Sequence, residues 1–319
     1  MVDFGEKQSD GVDFKFPVVH VDEEVSPEQE KIANAAVKFA DFLVSKWPQK
    51  DDGREINIPI DRLGNTLTLP PIDWSVPNKP KLNYYIVGSL ATMLLAKADT
   101  VSSLTGDDLP EINEEGEVKN IPETTKKILA KFSRQIGDLD YVPSEFYSKN
   151  NPNRLRKGGG GPSFDEVPDE ASLVLKKESK TQVKVMCDPV PSKNYEKNVV
   201  KVTVDGKDFY IASPDSMLGY KILHLLESYS SKPDKFNNDF AILFNALVEM
   251  YGYERLLEVT RRIVLSAEEN SRQLYYSFHK DDQDSAPYVE KYPGMIKQVL
   301  DHAQISPEIK LMLEDISAK

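Results

Sequence analysis

The chain carries a single cysteine, Cys187, in 319 residues, so no intrachain disulfide can form and a reducing compartment is the simpler setting. Histidine is almost as scarce. His20, His224, His279 and His302 are scattered, with no two at a metal-ligand spacing, which argues against a zinc site. Basic charge is in deficit, with 40 Lys and Arg against 52 Asp and Glu and a net charge of −12. That balance excludes a general electrostatic attraction to nucleic acid or anionic membrane and leaves room only for a local basic patch. No apolar run approaches the roughly 20 residues of a membrane span. The opening residues Met1-Val2-Asp3-Phe4-Gly5-Glu6 also lack the basic and apolar regions of a secretion signal. The expectation is a cytoplasmic protein without membrane association, long enough for two modest domains.

Punctuation along the chain divides it further. Residues 1–26 are polar and acidic without sustained periodicity and read as a flexible arm. Ser26-Pro27-Glu28 then has the cap, proline and acid of a helix start, and Ile32, Ala36, Phe39, Phe42 and Leu43 follow helical spacing up to Trp47-Pro48. Short β-like pieces, Glu55 to Ile60 and Thr66 to Leu69, come next. An α/β (α+β) domain is expected over 27–212, with inserted loops near 100–121 and 149–170; the second of these contains Gly158 to Gly161. That glycine run does not match a P-loop, because no GK[ST] closes it. Between them Pro122 to Gln135 reads as a basic amphipathic helix. Asp205-Gly206, between alternating strands 199–204 and 207–211, is a strong hairpin signal. From Ser213-Pro214-Asp215 to Lys319 the pattern is helical, which predicts a separate C-terminal α-helical domain over 213–319.

Two short stretches bear chemistry. Tyr84-Tyr85-Ile86-Val87-Gly88-Ser89-Leu90-Ala91 runs from an apolar strand pattern through Gly-Ser into an apolar helix pattern. Backbone N–H groups and the positive end of a helix attract phosphate there. Downstream, Gly137-Asp138-Leu139-Asp140-Tyr141 places two carboxylates on one face of a strand, since residues two apart point the same way. Carboxylates so placed repel, and a divalent cation relieves them; hard oxygen ligands suit magnesium, which keeps positions for substrate phosphates. Taken alone, the first is explained by a turn with an N-cap and the second by chance in an acidic chain. In combination they describe a site for a metal–triphosphate.

Val87-Gly88-Ser89, the run Ser133-Arg134-Gln135-Ile136-Gly137-Asp138-Leu139-Asp140, and Tyr210 to Lys221 followed by Lys235-Phe236-Asn237-Asn238-Asp239 together carry a family likeness. The chain resembles the DNA polymerase β-like nucleotidyltransferases and, within them, the AbiEii-type toxins, over roughly residues 82–250. The gap from Ser89 to Asp138 is longer than the family's usual spacing, and Phe236 stands where the signature often has an acid. The resemblance implies a nucleotidyltransferase fold, a small mixed β-sheet flanked by helices and followed by a C-terminal helical bundle. It also implies transfer of a nucleoside monophosphate from an NTP to a hydroxyl. Asp138 and Asp140 would then bind Mg2+, or Mn2+ in its place, and Gly88 and Ser89 the β- and γ-phosphates. A third carboxylate on a neighbouring strand would help deprotonate the attacking hydroxyl. Asp188, at the end of strand 182–188, is the candidate, although its position before Pro189 is equally explained by a strand end; Asp205 has a sufficient reason to exist in the hairpin turn.

The same resemblance assigns Lys221 to the triphosphate and Asp239 to orienting it. Lys221 lies beside the apolar stripe marked by Leu218 and Leu225, and Asp239 is flanked by Phe236, Ile242 and Leu243, so a buried carboxylate would need a partner. A Lys221–Asp239 pair would satisfy both, and a purely structural ion pair is the competing account. The acceptor stays open between tRNA, protein and a small molecule such as an antibiotic, and a toxin would have an antitoxin protein as partner. An RNA acceptor would want a basic groove, for which Arg154, Arg156, Lys157, Lys176, Lys177, Arg261 and Arg262 are available, each explained as readily by solvation. The non-enzymatic rival is a nucleotide- or partner-binding module on the same fold.

Overall fold

The structure, a computed structural model, describes residues 24–59, 66–69, 82–103, 119–143, 161–176, 183–187, 199–218, 221, 233–252 and 314. Helix α1 (Pro27–Lys46) begins as its sequence dictates. Ser26 Oγ accepts from the Gln29 N–H and Gln29 Oε1 accepts from the Ser26 N–H, a reciprocal capping box, with Pro27 in the first turn. It ends at Trp47, before Pro48, and buries Ile32, Ala36, Phe39 and Leu43 on one face.

Strands β1 (Ile56–Pro59) and β2 (Thr66–Leu69) form a separate antiparallel pair. The remaining strands are β3 (Tyr84–Val87), β4 (Thr100–Ser103), β5 (Lys119–Asn120), β6 (Asp138–Pro143), β7 (Lys184–Cys187), β8 (Val199–Val204) and β9 (Lys207–Ala212). They make one mixed sheet in the order β5-β4-β8-β9-β3-β6-β7. β3 pairs parallel with β9 and antiparallel with β6, and all four of its residues are buried, as a continuous apolar run at a sheet centre requires. β3 is short, and a side chain extends its neighbour's bonding. The buried amide of Gln49 accepts from the Tyr210 N–H at 2.9 Å and donates to the Tyr210 carbonyl at 2.7 Å, while the Gln49 carbonyl accepts from the Asn83 N–H.

β8 and β9 join through Asp205-Gly206, both at positive φ (50° and 74°), the two-residue turn that matches strand twist. The stretch expected to be only a loop near 100–121 carries β4 and β5 at its two ends. These two strands exist through pairing with β8 and with each other, a long-range cause that local Gly, Pro and acidic signals outweigh in the sequence. Likewise, residues 161–170 of the second expected loop contain a 3-10 turn (Phe164–Glu166) and the start of helix α4 (Asp169–Ser172).

Helices α2 (Gly88–Lys97) and α3 (Glu123–Ala130) pack together, α1 packs on α2, and α6 (Pro233–Tyr251) packs on α3. The basic helix expected to Gln135 stops at Ala130. Its last turn tightens, with the N–H groups of Phe132 and Ser133 bonding the carbonyls of Leu129 and Ala130, and the chain then turns toward β6. Residues 214–218 form a helical segment, α5, entered through Ser213, whose Oγ accepts from the Ser216 N–H. One hydrophobic core unites Phe39 of α1, Leu94 of α2, Leu129 of α3, Ile86 and Val202 of the sheet, and Phe240, Leu243 and Leu247 of α6. Among the described residues no helix is long and apolar enough to cross a membrane.

Candidate functional site at one end of the sheet

Strand directions gather the chemistry-bearing residues. β3 and β9 run parallel, so their C-terminal ends lie together, and β6 runs against β3, so its first residues arrive at the same end. Val87 pairs with Asp140 and Ile86 with Ile211. The turn into α2, the start of β6 and the entry to α5 therefore share one edge, where open α/β sheets place their ligands.

Alternation on β6 follows the sequence. Leu139 is buried, whereas Asp138 and Asp140 are half-buried, as are Gly88 and Ser89 across from them. Gly88 has φ +68°, and a Cβ built there would stand 2.6 Å from Asp140 Oδ2 and 3.3 Å from Asp140 Cβ. Only glycine accepts both the left-handed backbone and that approach. The position has no slack. The bland account of Ser89, a helix cap, is not what the chain adopts: the N-cap is Val87, no side chain caps α2, and its first turn holds no acid. Ser89 lies inside the helix start. The electropositive end of α2 thus abuts a carboxylate supplied by another strand rather than by its own turn.

β7 lies parallel to β6, with Lys184 opposite Asp138 and Met186 opposite Asp140. Asp188 lies outside the described residues. Asp205 occupies the hairpin turn, six residues before Ile211, or about 20 Å along a strand from the β3 end. Its N–H donates to Asp99 Oδ2, at the opposite end of the strands, so Asp205 is not brought to Asp140. Among the described residues no group of three His, Cys, Asp or Glu side chains is gathered. The pair Asp138 and Asp140, with a cradle that a Cβ would fill, is an oxygen donor set suited to a hard divalent cation.

Lys221 and Asp239 do meet, Nζ to Oδ2 at 3.1 Å, and both are buried. They have a third member that the sequence reading placed in a helix and assigned no role. Arg134 grips Asp239 with both guanidinium nitrogens, Nη2 to Oδ2 at 2.7 Å and Nη1 to Oδ1. Phe132 lies under both cations, its ring centroid 4.6 Å from Arg134 Cζ and 4.9 Å from Lys221 Nζ. The available signal was position: Arg134 precedes Asp138 by four residues, in the same motif. Burial pushes the Lys221 ammonium below its ordinary range, against the pull of Asp239; the neighbouring charge of Arg134 adds to the lowering and that of Asp140 opposes it. Burial pushes Asp239 upward, but the Arg134 hydrogen bond and the charges of Lys221 and Arg134 outweigh it and hold the carboxyl below its ordinary value. Lys221 therefore stands in the field of both Asp239 and the β6 pair.

Of the basic residues available for an RNA groove, Lys176 is exposed beside β6, and the others lie outside the described residues. Compared with known proteins, the chain matches no family model, no curated protein and no solved structure.

Proposed function

We propose that the chain is a metal-dependent nucleotidyltransferase, built on a nucleotidyltransferase sheet with a C-terminal helical bundle and working in the cytoplasm. One observation carries this reading. The Gly-Ser helix start and the D-x-D strand, more than 40 residues apart in sequence, meet so closely that Gly88 admits no Cβ beside Asp140.

In the reaction, an acceptor hydroxyl oxygen bonds to the α-phosphorus of an NTP, the bond from that phosphorus to its bridging oxygen breaks, and pyrophosphate leaves. Backbone N–H groups at the start of α2 bind the β- and γ-phosphates. Lys221 offsets the negative charge that builds on the phosphates, and Asp239 orients it. Asp138 and Asp140 would hold Mg2+ or Mn2+, and Asp188 would be the third carboxylate and the recipient of the hydroxyl proton. When bound there, the cation would supply charge neutralisation along the triphosphate and a more acidic hydroxyl. The acceptor is tRNA or a protein, in the manner of a toxin with an antitoxin partner.

The test is incubation with each α-labelled NTP and magnesium, with and without total tRNA, followed by location of the label. Asp138→Asn and Asp140→Asn each remove charge but little volume, so the fold persists. Transfer should fall by more than about 100-fold, beyond the cost of altering groups that merely support metal ligands. Undiminished transfer in both variants overturns the assignment. Label on an aminoglycoside-type small molecule rather than on tRNA or protein would move the acceptor class. Binding of NTP without any transfer would leave a nucleotide-binding module.

A further inference from the structure

Among the described residues the cluster behind the site does not balance. Two cations, Arg134 and Lys221, share one carboxylate, Asp239, which is fully buried; the Lys221 side chain is 10% exposed and that of Arg134 31%. A lysine and an aspartate alone would form a neutral pair, and charge balance would ask for nothing more. Arg134 is surplus to that need. Its fork occupies both oxygens of Asp239, a geometry that binds carboxylates strongly and fixes their orientation. Asp239 thereby spends its charge on the guanidinium while still accepting from Lys221 Nζ. An ammonium has three donors, and Asp239 takes one.

Resting on the nucleotidyltransferase reading, we propose that Arg134 is a positioning residue that neutralises Asp239, so that Lys221 keeps an uncompensated positive charge for a bound polyphosphate. The surplus has a destination. Asp138 and Asp140 with a divalent cation cancel among themselves, whereas a triphosphate brings further negative charge to the same end of the sheet. Phe132, its ring close to both cations, supports them with an apolar face that adds no negative ion. Arg134 sits on the stretch between α3 and β6, and Asp239 on α6, so the arrangement ties the strand that bears Asp138 and Asp140 to the helical segment that follows the sheet.

A charge count tests this in the full chain, with calorimetric binding of magnesium–ATP and magnesium–tripolyphosphate, thermal melts, and separate kcat and KM for transfer. Arg134→Met leaves a neutral Lys221–Asp239 pair, and affinity for both polyphosphates should fall on the order of tenfold, the weight of one partly screened unit charge. The rise should appear in KM more than in kcat. Adding Asp239→Asn to Arg134→Met restores the net positive charge and should recover most of that affinity, an outcome a merely structural role does not produce. Arg134→Lys keeps the charge while losing the fork; it should melt lower yet bind nearly as wild type, and it decides the matter if Arg134→Met does not fold. Normal affinity in folded Arg134→Met, no recovery in the double variant, or weak binding by folded Arg134→Lys overturns the role of Arg134 alone. A wild-type chain that binds neither polyphosphate overturns the nucleotidyltransferase reading as well.

Discussion

Replacing Gly88 by alanine should separate the cost of a backbone conformation from the cost of a displaced carboxylate. At φ +68° an alanine enters the left-handed region, at roughly 1–2 kcal/mol. For a chain of this size that lowers Tm by about 2–8 °C. The new Cβ also stands 2.6 Å from Asp140 Oδ2, well inside normal contact, and Asp140 Cβ at 3.3 Å blocks the simplest retreat. The carboxylate must shift by about 0.5–1 Å, and misplacement on that scale costs transfer about 100-fold. Gly53 provides the control. Its φ is +81° and nothing lies within 4 Å of its built Cβ, so Gly53→Ala carries the same backbone strain without touching an acid. Melting curves and initial rates of nucleotidyl transfer should show both variants losing similar stability and only Gly88→Ala losing rate. Equal rates for the two alanine variants would refute the argument that Gly88 is glycine for the sake of Asp140.

Asp188→Asn should slow transfer by at least about tenfold with NTP binding retained, whereas Asp205→Asn should leave turnover intact and cost about 1 kcal/mol or less at the hairpin; initial rates with calorimetric NTP binding check the pair, and loss through Asp205 alone reverses the choice. Acid should release the buried cluster. The Asp239 carboxyl titrates below its ordinary 3.8, so its stabilisation is fully present above about pH 4 and is lost as pH falls through the lower, folded value. Melts from pH 7 down to pH 2 should therefore lose a steep component in that window that Asp239→Asn lacks, and Asp239→Asn at pH 7 should already be less stable by about 3–5 kcal/mol. Parallel acid profiles for the two chains would contradict the arrangement of charges.

Local signals reached far into this fold. Ser26, Pro27 and Gln29 mark a helix start through bonds that span three residues, and Asp205-Gly206 marks a hairpin through φ values that few other pairs accept. Period-two alternation foretold that Leu139 is buried while Asp138 and Asp140 are not. Burial arithmetic foretold the Lys221–Asp239 pair, because an acid among Ile242 and Leu243 must find a cation. Arg134 was hidden because a basic residue at the end of an amphipathic helix has a sufficient reason to be there, and only the tightened turn after Ala130 withdraws that reason. β4 and β5 were hidden differently. Their conformation is imposed by partners 100 and about 20 residues away, which no local window contains.

The Val87–Asp140 register ties the chemistry to the accuracy of strand pairing. A slip of one residue between β3 and β6 would turn Leu139 out to solvent and drive both aspartates into the apolar interior. The same alternation that seals the core thus proofreads the site. A polar residue at position 139 would weaken both at once, and a mispaired chain would have no half-formed version of the metal–phosphate end to work with. Errors in assembly of this sheet should surface as lost chemistry before they surface as lost compactness.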